Sequence, residues 1–140
     1  MNKPRTILWV DDDNDLLKHN RSNLLDAGYA VDVESNVDVA IEKMKDDAEK
    51  LKGVILDVMM NPGVTLRNHD HQGGLKTGLV LLTHIRREKI LDGVSIFFFS
   101  HRVDGDAVEK AETMGVRYHQ KQDYKGKKIC DLVFEEFGKP

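Results

Sequence analysis

Cysteine is nearly absent from this sequence, because Cys130 is the only one in 140 residues. A single cysteine excludes an internal disulfide and a zinc site built from cysteines. Its apolar neighbours Ile129, Leu132 and Val133 favour a buried helix position over a reactive thiol. So little cysteine is typical of a reducing compartment, and we therefore expect a cytoplasmic protein.

Long apolar runs and an excess of one charge are also missing. No segment approaches the roughly 20 apolar residues of a membrane span, and the N-terminus has no signal-peptide core. The 21 basic and 24 acidic residues nearly balance, with a formal net charge of −3. We therefore predict neither nucleic acid nor a membrane as a partner. The length, without repeats or linkers, predicts a single domain over residues 1–140.

The sequence does contain a regular alternation of strand-like and helix-like segments. Short apolar runs are followed by stretches in which apolar residues recur at helical spacing. The predicted strands are residues 7–10, 30–34, 53–58, 94–99 and 116–120, and the predicted helices lie near residues 15–27, 35–48, 77–87, 104–115 and 127–137. This alternation indicates a doubly wound α/β fold, with a parallel sheet and helices on both faces.

The polarity of the five strands predicts their order in the sheet. Strands one, three and four are continuous apolar runs, which suits central positions covered on both faces. Strands two and five carry polar side chains, which suits the two edges. The flavodoxin-like order 2-1-3-4-5 satisfies both conditions, and in it ligands bind at the carboxyl ends of strands one and three.

Two of the predicted helices begin with capping signals. Ser35 and Asp38 form a pattern like a capping box before the second helix. Asp104 is suited to cap the fourth helix. Such side chains accept hydrogen bonds from first-turn amides, which have no partner within the helix.

Polar side chains stand at the ends of four predicted strands, and we expect them to converge at one edge of the sheet. Clustered carboxylates ionise together only when a cation offsets their repulsion. Several hard oxygen ligands suit Mg²⁺, while a hydroxyl and an ammonium group suit the oxygens of a phosphoryl group. The converging residues are Asp11, Asp12, Asp57, Ser100 and Lys121, whereas Asp13 is interpreted as a helix cap or a solvent-facing residue.

This arrangement of strand-end residues resembles the pattern of response-regulator receiver domains, and the resemblance spans residues 7–137. It implies that Asp57 is the phosphoacceptor, which takes a phosphoryl group from a histidine kinase or a phosphotransfer protein. It also implies that Asp11, Asp12 and Asp57 hold Mg²⁺ or Mn²⁺. The backbone carbonyl of Met59 would complete the metal ligands that the protein supplies.

The resemblance gives roles to three further residues and to the domain as a whole. Ser100 would hydrogen-bond a phosphoryl oxygen, Lys121 would pair with the phosphoryl group, and Tyr118 would be an aromatic switch that turns inward. Because no output domain follows the last predicted helix, we expect the signal to pass to a downstream protein. A homodimer is left open. The domain is not expected to be an enzyme beyond self-catalysed phosphoryl transfer and autodephosphorylation.

The segment after Asp57 departs from the family pattern. The usual Met-Pro pair is one residue longer here, and Pro62 and Gly78 stand 16 positions apart instead of a few. We therefore predict an extended loop over residues 61–77, with a role in partner recognition. The loop contains a His-Asp-His cluster at residues 69–71, which we interpret as a solvated loop and not as a metal site.

Two further departures lie beside Ser100 and Lys121. Gln122 stands where the family usually has proline after the lysine. His101 follows Ser100, where the family prefers a small residue. We expect the imidazole of His101 to limit the access of water to the pocket.

Two alternatives to a phosphorylated receiver stay open at the level of the sequence. A phosphatase of the haloacid-dehalogenase type would use Asp11, Asp13, Ser100 and Lys121, but it would leave Asp57 without a role. A receiver-like binding module that is never phosphorylated is the other alternative.

Overall fold

The fold is a five-stranded parallel sheet with the strand order β2-β1-β3-β4-β5, as the strand polarity predicts. The computed structural model describes residues 4–74, 76–101 and 105–140, without the side chains of residues 14–16. The strands are β1 (Thr6–Val10), β2 (Ala30–Glu34), β3 (Leu51–Leu56), β4 (Ser95–Ser100) and β5 (Arg117–Gln120). All four neighbouring pairs are parallel.

Five helices connect and flank the strands, with short 3₁₀ turns before β3 and after β5. The helices are α1 (Asn14–Asp26), α2 (Val37–Asp47), α3 (Thr77–Arg87), α4 (Gly105–Thr113) and α5 (Lys128–Phe137). None of the helices in the described ranges combines the length and the apolarity that crossing a bilayer would require.

The apolar side chains form one core on each face of the sheet. In β1, Leu8 and Val10 face the core that is shared with α2, α3 and α4. The alternate residues Ile7 and Trp9 face the core that is shared with α1 and α5. All four side chains are fully buried, which explains why this central strand is apolar along its whole length.

The start of α2 differs from the prediction. The N-cap is Asn36 and not Ser35, and the Asn36 side chain accepts a hydrogen bond from the amide of Val39 at 3.2 Å. Asp38 does not complete a capping box, because its carboxylate accepts the amides of Val64 and Thr65, both at 2.8 Å. The predicted cap of α4, Asp104, lies outside the described residues.

The long connection between β3 and α3 is compact. Leu66 is fully buried and belongs to the core formed with α2, α3 and α4. Asp38 holds residues 64 and 65 against α2, and Lys76 forms an ion pair with Asp106 in the first turn of α4. The segment is therefore a packed loop with its own anchors, of the kind called an Ω-loop.

Candidate functional site

The polar residues at the strand ends meet at the carboxyl edge of the sheet. Asp11 follows β1 directly, and Asp57 follows the last residue of β3, one position beyond the strand. The amide of Asp57 still donates to the carbonyl of Val10 at 3.0 Å, which continues the pairing of β1 with β3. The two carboxylates are thus positioned by the two central strands.

Three carboxylates are brought together at this edge. Asp11, Asp12 and Asp57 each offer an oxygen, and these oxygens lie within 4.8 Å of one another. Asp11 is fully buried and Asp57 is 6% exposed, whereas Asp12 is exposed. In the described ranges this is the one group of three or more metal-ligating side chains.

Lys121 places a buried positive charge between two of these acids. Its Nζ lies 2.6 Å from Oδ2 of Asp11 and 3.2 Å from Oδ2 of Asp57. The residue follows β5 directly, at the first position of a 3₁₀ turn, and only 1% of it is exposed. A buried ammonium group is stable only with such partners.

The two buried acids also accept hydrogen bonds from groups other than Lys121. The indole Nε1 of Trp9 donates to Oδ2 of Asp11 at 3.3 Å, and the amide of Asp13 donates to its Oδ1 at 2.9 Å. The amide of Val58 donates to Oδ1 of Asp57 at 2.7 Å. The carboxylates are therefore held in defined orientations before any ligand binds.

The charges at the site do not balance within the protein. Burial, followed by the nearby charge of Asp57, raises the pKa of Asp11 to about 7, although Lys121 acts in the opposite direction. Burial alone would lower the pKa of Lys121, but Asp57 and Asp11 outweigh it and raise that pKa. One ammonium group faces three carboxylates, so a divalent cation suits this donor set.

Ser100 and Tyr118 lie on β4 and β5, the two strands that follow β3 in the sheet. Ser100 is the last residue of β4 and is 2% exposed. It is in register with Gln120, the residue before Lys121. Tyr118 lies in β5, partly buried, with its ring centroid 6.2 Å from that of Phe98.

Met59 lies in the turn that follows Asp57, and its side chain points outward with 43% exposure. On the other side of this turn, Gly78 in the first turn of α3 packs directly on the backbone of Asp57. A Cβ atom at position 78 would lie 2.2 Å from the carbonyl oxygen of Asp57 and 2.8 Å from Cα of Val58. Only glycine allows α3 to approach the site this closely.

His101 links the segments that follow β1, β4 and β5. Its Nε2 lies 3.0 Å from Oδ2 of Asp13, which joins the loop after β4 to the loop after β1. The side chain of Gln122 donates to the carbonyl of His101 at 3.1 Å, which adds the segment after β5. The two residues that depart from the family pattern here are thus in contact with each other.

The histidines of the long loop do not form a metal site in the described ranges. Nδ1 of His71 accepts the amide of Gly74 at 3.0 Å, and its Nε2 lies 3.1 Å from the carbonyl of Arg67. His69 is exposed. Both ring nitrogens of His71 therefore contact the loop backbone.

The composition of the acidic group bears on the phosphatase alternative. A phosphatase of that type would use the carboxylates of Asp11 and Asp13 together. The carboxylates that cluster in the structure are those of Asp11, Asp12 and Asp57. The carboxylate of Asp13 contacts His101 instead. The geometry therefore favours the receiver pattern over the phosphatase pattern.

Three contributors to the site were not found from the sequence. The Trp9 indole donates to Asp11, Thr77 donates its hydroxyl to the carbonyl of Met60 at 2.5 Å, and Asp38 anchors the loop. No spacing rule pairs these residues with their partners. In the sequence, Thr77 marks only the start of a predicted helix, where threonine is commonly a cap.

The chain was compared with protein families, with curated proteins and with solved structures. No protein-family model matches the sequence, and no curated protein matches it. Solved structures do match. The signal receiver domain of a protein assigned as a LuxO repressor in Vibrio parahaemolyticus has a TM-score of 0.74 at 17% identity, covering 97% of this chain and 91% of the other.

Two further structures agree with this result. A protein assigned as a response regulator in Chloroflexus aurantiacus has a TM-score of 0.73 at 20% identity, with 98% of this chain and 100% of the other covered. The chemotaxis response regulator CheY4 of Vibrio cholerae has a TM-score of 0.71 at 16% identity, with coverage of 94% and 97%. At these identities the likeness establishes the fold, so the resemblance inferred from the strand-end residues is confirmed at that level. The chain has the fold of the CheY-like response-regulator receiver domains.

Proposed function

We propose that this chain is a phosphoryl-accepting receiver in which Asp57 takes a phosphoryl group from a phosphohistidine of a histidine kinase or phosphotransfer protein. The observation that supports it most is the convergence of Asp11, Asp12 and Asp57 within 4.8 Å, with Lys121 bonded to two of them. The receiver fold adds to this support.

The acidic group is the candidate site for Mg²⁺, or for Mn²⁺, with Asp11, Asp12, Asp57 and the carbonyl of Met59 as ligands. When bound, the cation would offset the carboxylate charge and that of the incoming phosphoryl group. The raised pKa of Asp11 supports this, because a buried carboxylate that resists ionisation gains most from a bound cation.

In the transfer step a carboxylate oxygen of Asp57 attacks the phosphorus atom. An O–P bond forms as the N–P bond of the donor breaks, and the electron pair of that bond leaves with the imidazole. Lys121 neutralises charge next to Asp57, and the hydroxyl of Ser100 donates to a phosphoryl oxygen. Positioning and charge stabilisation account for most of the catalysis in such reactions.

The output is a changed protein surface. Movement of Ser100 toward the phosphoryl group would free space for Tyr118 to turn inward from its place beside Phe98. A downstream protein would then bind the altered surface around β5.

The acceptor is tested by phosphorylation with acetyl phosphate and with a panel of histidine kinases in the presence of Mg²⁺. The parent should acquire a label that hydroxylamine removes, as an acyl phosphate requires, and Asp57→Asn should reduce that label to background. Asp70→Asn, an exposed acid in the loop, is the matched control and should label as the parent does. Label that survives in Asp57→Asn would refute the assignment, and steady turnover of a small phosphomonoester would indicate a phosphatase instead.

A further inference from the structure

The turn after Asp57 presents three successive carbonyls, and two of them are hydrogen-bonded by the first two residues of α3. The amide of Gly78 donates to the carbonyl of Val58 at 2.8 Å, and the hydroxyl of Thr77 donates to the carbonyl of Met60 at 2.5 Å. Among the described residues, no group donates to the carbonyl between them, that of Met59.

This segment packs too tightly to shift freely. The amide of Met60 also donates to the carbonyl of Gly74 at 3.0 Å, so Met60 is held through both its amide and its carbonyl. A Cβ atom at Gly74 would lie 2.9 Å from the Met60 carbonyl oxygen. Thr77 itself is fully buried, and the side chains of Val58 and Met60 are 4% and 2% exposed.

The length of the loop makes these hydrogen bonds necessary. Pro62 and Gly78 are 16 positions apart, so the covalent connection alone places little restraint on where residues 58–60 lie relative to α3. A buried hydroxyl bonded to the backbone restores that restraint, because breaking it would leave the Met60 carbonyl unsatisfied in the interior.

We propose that Thr77 is a positioning residue for the metal site. It holds the carbonyl of Met60, one peptide beyond the carbonyl of Met59, and so fixes the turn in the orientation that keeps the carbonyl of Met59 available as a ligand. This inference rests on the proposed function, since it assumes that a divalent cation binds there. Thr77 acts through Met60 and does not contact the cation itself.

The test compares Thr77→Val, which keeps the shape but loses the hydroxyl, with Thr77→Ser, which keeps the hydroxyl. Thr83→Val is the matched control, because the Thr83 hydroxyl on the same helix donates to the carbonyl of Leu79 at 3.0 Å, away from the site. Each protein is titrated with MgCl₂ while the fluorescence of Trp9 is followed, since its indole donates to Asp11.

We expect Thr77→Val to raise the Kd for Mg²⁺ by about tenfold, which corresponds to about 1.4 kcal/mol. Thr77→Ser and Thr83→Val should stay within about twofold of the parent. The Tm measured in EDTA and in Mg²⁺ gives a second readout, because a purely structural role would lower the Tm in EDTA and leave the Mg²⁺ affinity unchanged. Thr77→Ala repeats the comparison if Thr77→Val does not fold.

Two negative outcomes have different meanings. If the parent neither responds to Mg²⁺ nor gains Tm, the proposed metal site itself is wrong. If the parent binds Mg²⁺ and the variants without a hydroxyl bind it equally well, the positioning role of Thr77 is overturned while the proposed function stands.

Discussion

Single residues at the site differ most in their exposure. Asp11, Asp57 and Lys121 are buried, so their charges interact through a medium of low polarity. Asp12 and His101 face solvent, where electrostatic interactions are screened by water and salt. The buried residues are therefore suited to the proposed phosphoryl transfer, and the exposed residues are suited to contact a cation or phosphoryl donor as it enters from solvent.

His101 is expected to slow the loss of the phosphoryl group. Its Nε2 lies 3.0 Å from Oδ2 of Asp13, so that nitrogen is occupied and the ring is tied to the loop that carries Asp11 and Asp12. This geometry supports steric exclusion of water over activation of water by the imidazole. His101→Ala should therefore shorten the half-life of the phosphorylated protein by about threefold or more, and each tenfold needs only about 1.4 kcal/mol.

The half-life is measured by loss of label after the donor is removed. His69→Ala, which removes an exposed histidine from the loop, is the control and should leave the half-life unchanged. A longer half-life in His101→Ala would show that the imidazole positions water instead.

At the scale of elements, the loop between β3 and α3 carries two of the candidate metal ligands, Asp57 and the carbonyl of Met59, at its start. Asp38 of α2 holds residues 64 and 65, the next residue Leu66 is buried in the core, and Thr77 at the start of α3 holds Met60. The order of the loop thus depends on a few contacts that are distant in sequence.

Asp38→Ala should loosen this loop. Hydrogen bonds from Thr65 and Val64 lower the pKa of Asp38 below its ordinary value of 3.8. The contribution of Asp38 to stability is therefore present at neutral pH and is lost as the pH falls below that value. Because the carboxylate is partly exposed, we expect a loss of only about 1 kcal/mol in the free energy of unfolding.

Limited digestion with trypsin reports the loop directly, because Arg67 is exposed within it. Cleavage after Arg67 should accelerate in Asp38→Ala. Asp46→Ala, an exposed acid on the same helix, is the control and should be cleaved at the parental rate. Equal rates in all three proteins would show that Asp38 does not anchor the loop.

At the scale of the whole molecule, stability is expected to depend on pH through the unbalanced acids at the sheet edge. In the folded protein the pKa of Asp11 is raised from 3.8 to about 7, so the folded state binds this proton more tightly than the unfolded chain. The stabilisation is complete below the unfolded value and is lost as the pH rises through about 7. The raised pKa of Lys121 contributes stability that is present at neutral pH and is lost only in alkaline solution.

Without metal, Asp11→Asn should therefore lose less stability than the parent between pH 5 and pH 8. We expect a difference of about 1 kcal/mol or more, since one pKa unit corresponds to about 1.4 kcal/mol. Urea unfolding in EDTA at both pH values measures it, with Asp46→Asn as the control at an exposed position. Identical pH dependence in the parent and in Asp11→Asn would contradict the raised pKa.

Much of this molecule follows from its sequence alone. The apolar runs of β1, β3 and β4 place these strands in the centre and the polar strands β2 and β5 at the edges, and the doubly wound order 2-1-3-4-5 that satisfies this is the observed one. That order in turn brings Asp11, Asp57 and Lys121 to one edge, since parallel strands end together. These features depend on patterns that repeat along the chain.

Other features were decided only by the tertiary structure. The predicted cap at Ser35 was wrong. The N-cap is Asn36, and Asp38 accepts hydrogen bonds from the loop instead of completing a capping box. The contacts of Thr77 with Met60 and of His101 with Asp13 join residues 17 and 88 positions apart. No periodicity encodes such pairs, since they arise only when separately formed elements pack and a buried or crowded polar group takes the partner that is nearest.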